Sequence, residues 1–136
     1  MPSQFVGGWT PWASLPLRVL VGIAFIAHGW PKLLGMAAFT EGFAKMGIPA
    51  PGLMLPLVMI LEVAGGVALA LGLLTRWVAL GFVIEMLVTT FYVRIPAGHK
   101  FLLGYELDLV YLTAAIFFLL AGPGRFSLDR KLGFEA

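Results

Sequence analysis

Two carboxylic acids lie inside long apolar stretches of the sequence, where acids are rare. Glu62 is near the middle of the run 51–74, and Glu85 is in the middle of the next run, 77–93. A charged residue at the centre of a membrane-spanning helix costs about 2.5–3.5 kcal/mol on insertion scales, and such residues often relay protons or bind substrates. A carboxyl group in this setting can accept and release a proton. We therefore treat Glu62 as a candidate functional residue.

Further polar residues are spaced so that they could meet near Glu62. His28 and Lys32 are i, i+4 neighbours near the end of the first apolar run, and Glu106 and Asp108 begin the fourth run. Antiparallel threading of four helices brings both regions to the same side of a membrane, at a rise of about 1.5 Å per residue. We predict that these four residues form a polar chamber, with Glu62 deeper at its floor.

Other residues are expected to face the interior of the same helix bundle. Arg18 and Lys32 share one face of the first run, and Gly65 and Gly66 lie on the inner face of the second. Small residues permit close approach of helices in membranes, so the two glycines have a packing explanation besides one in ligand binding. Glu85 is interpreted as a structural partner that locks the bundle by pairing with Arg18.

The candidate residues also have structural explanations, which the sequence leaves open. Acids in the first turn of a helix, such as Glu106 and Asp108, complement the positive end of the helix dipole. Lys32 can simply extend its amine toward the membrane surface, and His28 can be a buried histidine with satisfied hydrogen bonds. Glu62 has no comparable structural explanation.

The composition indicates an integral membrane protein. Of the 136 residues, 60% are hydrophobic and 12% are charged, whereas soluble domains carry roughly a quarter charged residues. The net charge is +2 and the basic residues are scattered, which argues against a nucleic-acid partner. The chain has no cysteine, so it cannot itself supply disulfides or thiolate ligands. We recognise no haem, flavin or metal-binding motif.

Four apolar segments are long enough to cross a membrane as helices, which takes about 20 residues each. These segments are residues 15–34, 52–74, 77–93 and 103–121. We therefore predict an all-α antiparallel bundle of four transmembrane helices, forming one domain over residues 1–136. Four spans place both termini on one side of the membrane. That side has five basic residues against four on the other, so the positive-inside rule favours cytoplasmic termini.

The connection between the first two spans has a helical pattern of its own. Met36, Phe39, Phe43 and Met46 recur at helical spacing. This pattern predicts a short amphipathic helix in the membrane interface or a re-entrant lid, with a surface linker as the alternative. After the fourth span, Ser127 is expected to begin a short amphipathic tail.

The order of these motifs resembles the DoxX family. The resemblance runs over residues 17–132 and consists of Arg18-x3-Gly22-x5-His28-Gly29-x2-Lys32, Glu62-x2-Gly65-Gly66-x5-Gly72-x2-Thr75-Arg76, Glu106, and Gly122-Pro123-Gly124-x2-Ser127-Leu128-Asp129. It implies a small, multi-pass protein of a bacterial or archaeal inner membrane. The family takes its name from subunits linked to thiosulfate:quinone oxidoreductase. Glu85 and Asp108 lie outside the family pattern, so their roles depend on the residue-level reasoning alone.

The resemblance implies a redox-linked subunit that binds a quinone or a small sulfur-type ligand, and it leaves open whether the chain is itself an enzyme. The predicted catalytic residues are Glu62, His28 and Glu106. The predicted cofactor-binding residues are Arg18, Lys32, Gly65, Gly66 and Asp108. The predicted partners are membrane lipid and a soluble or membrane redox protein, with a homo-oligomer also open. Two alternatives remain: a non-catalytic assembly partner of an oxidoreductase complex, and a proton-coupled carrier of a small anion.

Overall fold

The computed structural model describes residues 8–134, and the regular structure of this part of the chain is helical throughout. Within it, the α-helices are α1 (Ser14–Leu34), α2 (Met36–Lys45), α3 (Pro51–Leu71), α4 (Thr75–Leu87), α5 (Glu106–Ala121) and α6 (Leu128–Leu132). A 3₁₀ turn, Thr10–Trp12, precedes α1. A π-helical segment, Val88–Arg94, extends α4, and an irregular segment, Phe101–Tyr105, leads into α5.

Four of these helical stretches are long and apolar enough to cross a membrane. They are Thr10–Leu34, Pro51–Leu71, Thr75–Arg94 and Phe101–Ala121. The stretches pack together, and most of their large apolar side chains on the outside are exposed, as a lipid-facing surface requires. The predicted all-α bundle with four spans is therefore confirmed.

The turn between α3 and α4 is longer than the sequence suggested. The predicted second span reaches residue 74, whereas α3 ends at Leu71. Gly72 and Leu74 have φ angles of 71° and 50°, and this left-handed backbone cannot continue a helix. The third span consequently begins at Thr75, two residues before its predicted start.

The closest helix contact in the bundle joins α1 and α3. Gly22 and Gly66 face each other so tightly that a Cβ atom on either glycine would lie 2.6 Å from the other's carbonyl oxygen. Beside this contact, the rings of Phe25 and Phe82 stack at a centroid separation of 3.7 Å, and both are fully buried. The two glycines thus set the distance between α1 and α3, and the aromatic pair joins α1 to α4.

The predicted short helix between the first two spans is present as α2. Phe43 points into the protein, while Met36, Phe39 and Met46 are exposed, so the helix has apolar groups to place among lipid. The Tyr92 hydroxyl at the end of the third span donates to the Gly47 carbonyl at 2.9 Å. This bond holds the segment after α2 against the bundle.

Candidate functional site

An ion pair between two spans forms the centre of the candidate site. The Lys32 amine on α1 donates a hydrogen bond to Glu62 Oε2 on α3 at 2.8 Å, and the two side chains are only 14% and 6% exposed. Gly29 makes this possible, because any Cβ atom there would lie 2.7 Å from the Glu62 Cβ. The structure therefore brings together two of the predicted site residues within the apolar part of the bundle.

The roof of this ion pair is formed by α1 and α2. The Lys32 amine also donates to the His28 carbonyl at 3.1 Å, which fixes its direction along α1. On its outer side the amine lies 5.7 Å from the centre of the Phe39 ring on α2, a distance at which a cation is attracted to a ring face. The helix predicted as an interfacial element or lid thus lies directly over the site.

Glu85 is the third member of the cluster. It projects from α4, is 9% exposed, and lies within hydrogen-bonding distance of the Glu62 carboxyl. Its Oε2 atom is buried without a hydrogen-bond partner among the described residues. The interpretation of Glu85 as the partner of Arg18 is wrong. Arg18 is about 6 Å from the start of α1, and Glu85 is about 15 Å from the start of α4. Both helices begin at the same end of the bundle, which we call the terminal end, so the two residues lie at different depths.

A second ion pair lies next to the first. Arg94, at the end of the third span, contacts Asp108 in the first turn of α5 with a separation of 2.5 Å between Nε and Oδ2. Asp108 is 7% exposed, so the pair joins the third and fourth spans through a buried carboxylate. Asp108 also lies within electrostatic range of Glu85 and of His28. The two ion pairs and Glu85 therefore form one charged cluster, which we call the inner cluster: Lys32, Glu62, Glu85, Arg94 and Asp108.

His28 lies at the edge of this cluster, facing the membrane rather than the interior. It is exposed, and its ring meets the edge of the Tyr111 ring on α5 at 5.9 Å between centroids. The side chain of His28 shares a face of α1 with that of Leu17, an exposed residue that lies eleven residues, or about three helical turns, earlier. His28 is thus placed where α1 and α5 border the surrounding lipid.

Glu106 occupies a groove along α5 instead of joining the inner cluster. Its Oε1 atom accepts a hydrogen bond from the Leu103 amide at 3.0 Å, and Leu103 has a left-handed φ of 57°. The groove has a volume of about 660 Å³ and is lined by Leu17, Phe101, Glu106, Leu109, Val110, Thr113, Ala114 and Phe117. The predicted single chamber is therefore divided between the inner cluster and this lipid-facing groove.

Arg18 lies at the opposite end of the bundle, where it binds the chain after the fourth span. Its guanidinium donates to the Pro123 carbonyl at 2.5 Å and to the Phe126 carbonyl at 2.7 Å. Asp129 completes this end by accepting the amides of Leu74 and Thr75 at 2.6 and 2.9 Å. These contacts fasten the C-terminal segment to the α3–α4 turn, and they do not bring Arg18 to the inner cluster.

The two predicted cofactor-binding glycines pack helices together. Gly65 faces Val78 and Phe82 on α4, and Gly66 faces α1. Neither glycine contributes a polar group to the inner cluster. Of the residues predicted for the chamber and its floor, the structure places Lys32, Glu62 and Asp108 in the inner cluster.

The fold and the inner cluster define a four-helix integral membrane protein with an ionisable site between its spans. The family model named DoxX matches residues 13–95, which is more than half of the sequence. The chain therefore belongs to the DoxX family.

Three relatives resemble the chain over most of their length. YqjF of Escherichia coli, named an inner membrane protein, is 36% identical, with 87% of this chain and 90% of the relative covered. Rv3486 of Mycobacterium tuberculosis, named an uncharacterized membrane protein, is 33% identical, with coverages of 93% and 85%. CatD of Bacillus subtilis, named "Putative oxidoreductase CatD", is 32% identical, with coverages of 85% and 84%. No solved structure matches the chain. Together with the four spans, these relatives identify a multi-pass inner membrane protein.

Proposed function

We propose that this protein is a redox-linked membrane protein that binds a quinone headgroup at the inner cluster and exchanges protons with it. The observation that carries the proposal is the Lys32–Glu62 ion pair, which is buried between two spans. Reduction of a quinone consumes protons as well as electrons, so its site needs a group that transfers protons. Glu62 can fill that role, and the Lys32 amine can donate a hydrogen bond to a quinone carbonyl. The family and the oxidoreductase name of one relative support this choice.

The groove along α5 suits the apolar tail of a quinone. Its lining is apolar over most of its length and ends at one acid, Glu106. A quinone has the matching shape, with a polar ring and a linear isoprenoid tail. His28 is exposed to the membrane near the same helix and next to Tyr111, where it could meet an arriving headgroup. We propose that the quinone enters sideways from the lipid along this groove.

The chain contains no cysteine, so a cysteine pair cannot supply the electrons. The proposed donor is a small sulfur compound that reduces the quinone directly, or a redox protein that docks on the chain. In both cases the chain supplies the binding site and the protons. The alternatives are an assembly role without catalysis and transport of a small anion. The following experiment distinguishes both of them from quinone reduction.

The test is quinone reduction by the purified protein in lipid nanodiscs, with thiosulfate as the reductant and quinol formation followed by absorbance. We expect Glu62→Gln and Lys32→Gln to lower the rate by ~10²-fold, the low end of the range for a proton-transferring side chain. Glu41→Gln is the matched control, because Glu41 is an exposed acid that pairs with Lys45 on α2. It should leave the rate unchanged.

Two results would overturn this proposal. One is the absence of both quinone reduction in nanodiscs and quinone in an organic extract of the purified protein. The other is a rate that Glu62→Gln leaves unchanged. If a stoichiometric partner protein then co-purifies equally with wild type and Glu62→Gln, the assembly role is supported. Proteoliposome uptake of an anion that requires Glu62 would support the carrier.

The groove has a separate test. Thr113→Trp places a large ring in the groove, whose lining includes this exposed residue. We expect this variant to weaken binding of a long-tailed quinone while leaving binding of a tail-less analogue unchanged. Equal effects on the two quinones would contradict entry along the groove.

A further inference from the structure

We propose that Glu62 and Glu85 share one proton, so that Glu85 is a second proton-holding residue of the inner cluster, acting through Glu62. The two carboxyl groups come from neighbouring spans, α3 and α4, and lie within hydrogen-bonding distance of each other. They are 5% and 9% exposed, so both carboxyl groups are buried inside the bundle. One oxygen of Glu85, Oε2, is buried without a hydrogen-bond partner among the described residues, and Glu62 is a hydrogen-bond partner of the Glu85 side chain.

The hydrogen bond itself requires the proton. An ionised carboxylate has acceptor atoms only, so two ionised carboxylates cannot hydrogen-bond to each other. Glu62 is the member that the Lys32 amine contacts, which stabilises its negative charge. Glu85 is therefore the donor and carries the proton. In this state Lys32 and Glu62 cancel and Glu85 is neutral, so the three side chains have no net charge.

The charges on the surrounding helices leave this assignment intact. Lys32 is the cation that α1 directs at the pair, and it is already bound to Glu62. Asp108 on α5 is the nearest further acid, and its own charge is paired with Arg94 at the end of the third span. Ionising Glu85 as well would leave one uncompensated negative charge among these groups in an apolar interior, which is strongly unfavourable.

The shared proton gives the site a store from which it can supply a ligand. When Glu62 passes a proton to a ligand oxygen, the proton that it passes comes from Glu85 through their hydrogen bond. Both glutamates are then carboxylates, and a proton taken up from the aqueous phase returns to Glu85 and restores the starting state. The use of the proton on a ligand rests on the proposed function, whereas the shared proton does not.

The test is infrared difference spectroscopy of the protein in lipid nanodiscs, exchanged between H₂O and D₂O. We expect a carboxylic-acid C=O band near neutral pH that shifts in D₂O and is lost in Glu85→Gln. In Glu62→Gln the band should remain but move in frequency, because the acceptor of the proton has changed from a carboxylate to an amide. Glu41→Gln is the control in which the band should keep both its presence and its frequency, because Glu41 is an exposed acid outside the inner cluster.

Several results would overturn the proposal: the absence of the band in the wild type, its survival in Glu85→Gln, or an unchanged frequency in Glu62→Gln. Glu85→Asp keeps the acid and should retain a band, which guards against a loss of signal through misfolding. In the quinone assay, Glu85→Gln should lower the rate by at least ~10-fold while the Kd for quinone stays within about twofold, since Glu85 acts on the proton and not on the ligand. A band without quinone activity would count against the proposed function alone.

Discussion

Replacing Lys32 by Met tests whether the buried ion pair is the energetic centre of the inner cluster. The change keeps an unbranched side chain only one atom shorter and leaves Glu62, which is 6% exposed, without its cation. Removing one member of a buried ion pair usually destabilises a protein by about 3–5 kcal/mol, because the other charge stays buried. The Lys32 side chain is 14% exposed, and Glu62 can respond by taking up a proton, so we expect a loss of about 2–3 kcal/mol.

The double variant Lys32→Met/Glu62→Met should recover most of this loss. Two apolar side chains of similar volume in place of a buried ion pair are often neutral for stability, so the double variant should lie within about 1 kcal/mol of the wild type. Reversible unfolding in mixed SDS and detergent micelles, followed by tryptophan fluorescence, measures all four proteins of the cycle. Lys45→Met/Glu41→Met is the matched control, because that pair is 76% and 70% exposed.

The coupling energy between Lys32 and Glu62 in this double-mutant cycle can refute the prediction. Exposed pairs one helical turn apart couple by about 0.3–0.5 kcal/mol, and we expect no more than that for Lys45 and Glu41. A coupling energy of this same size for Lys32 and Glu62 would mean that the pair is solvated in the membrane-embedded protein. That result would refute the proposed proton-exchanging site between α1 and α3.

Two further predictions concern the elements that hold the site in place. Asp129→Ala removes the acceptors of the Leu74 and Thr75 amides, so we expect a loss of about 2–4 kcal/mol in the same unfolding assay, with quinone binding retained; a stability like that of the wild type would contradict the contacts described for this end. Gly66→Ala should destabilise by about 1–3 kcal/mol through its clash with α1, whereas Gly42→Ala, at a helical position with open space, should stabilise by up to about 1 kcal/mol. Equal effects of the two alanine substitutions would refute the close contact of α1 and α3.

The four spans could be predicted because hydrophobic length decides them. A run of about 20 apolar residues has few stable conformations in lipid other than a helix, and the sequence has four such runs. The ends of the spans do not follow from hydrophobic length, as the α3–α4 turn shows. Leu73 and Leu74 are apolar and extend the run, but the left-handed backbone at Gly72 and Leu74 ends the helix before them. Hydropathy carries no information about that backbone conformation.

Glu85 shows how a missed neighbour was nevertheless encoded in the sequence. Glu62 lies ten residues before Gly72, and Glu85 lies ten residues after Thr75. Two residues at equal distances from the turn of an antiparallel helical hairpin lie at the same depth. The predicted pairing of Glu85 with Arg18 conflicts with this spacing, because Arg18 lies only one helical turn from the start of α1.

Depth could not decide the position of Glu106. The depth of a residue follows from its count along the helix, but its direction depends on the rotation of the helix about its axis, which packing sets. Glu106 is two residues from Asp108 and therefore points to a different side of α5. Asp108 reaches the inner cluster, and Glu106 instead lines the lipid-facing groove.

The two ends of the bundle use their buried charges in different ways, and this difference supports placing the proposed function at the end that holds the inner cluster. At the terminal end, Arg18 and Asp129 bind backbone carbonyls and amides, which cannot change protonation and whose loss would open helix ends and turns. At the other end, Lys32, Glu62 and Glu85 bind one another through side chains. Each of those contacts can be replaced by a ligand oxygen or altered by one proton without breaking a backbone hydrogen bond. The end with the inner cluster can therefore exchange protons with a ligand and keep its fold, as the proposed function requires. Of the DoxX motif residues, Arg18 and Asp129 stabilise the fold, and Lys32 and Glu62 belong to the proposed site.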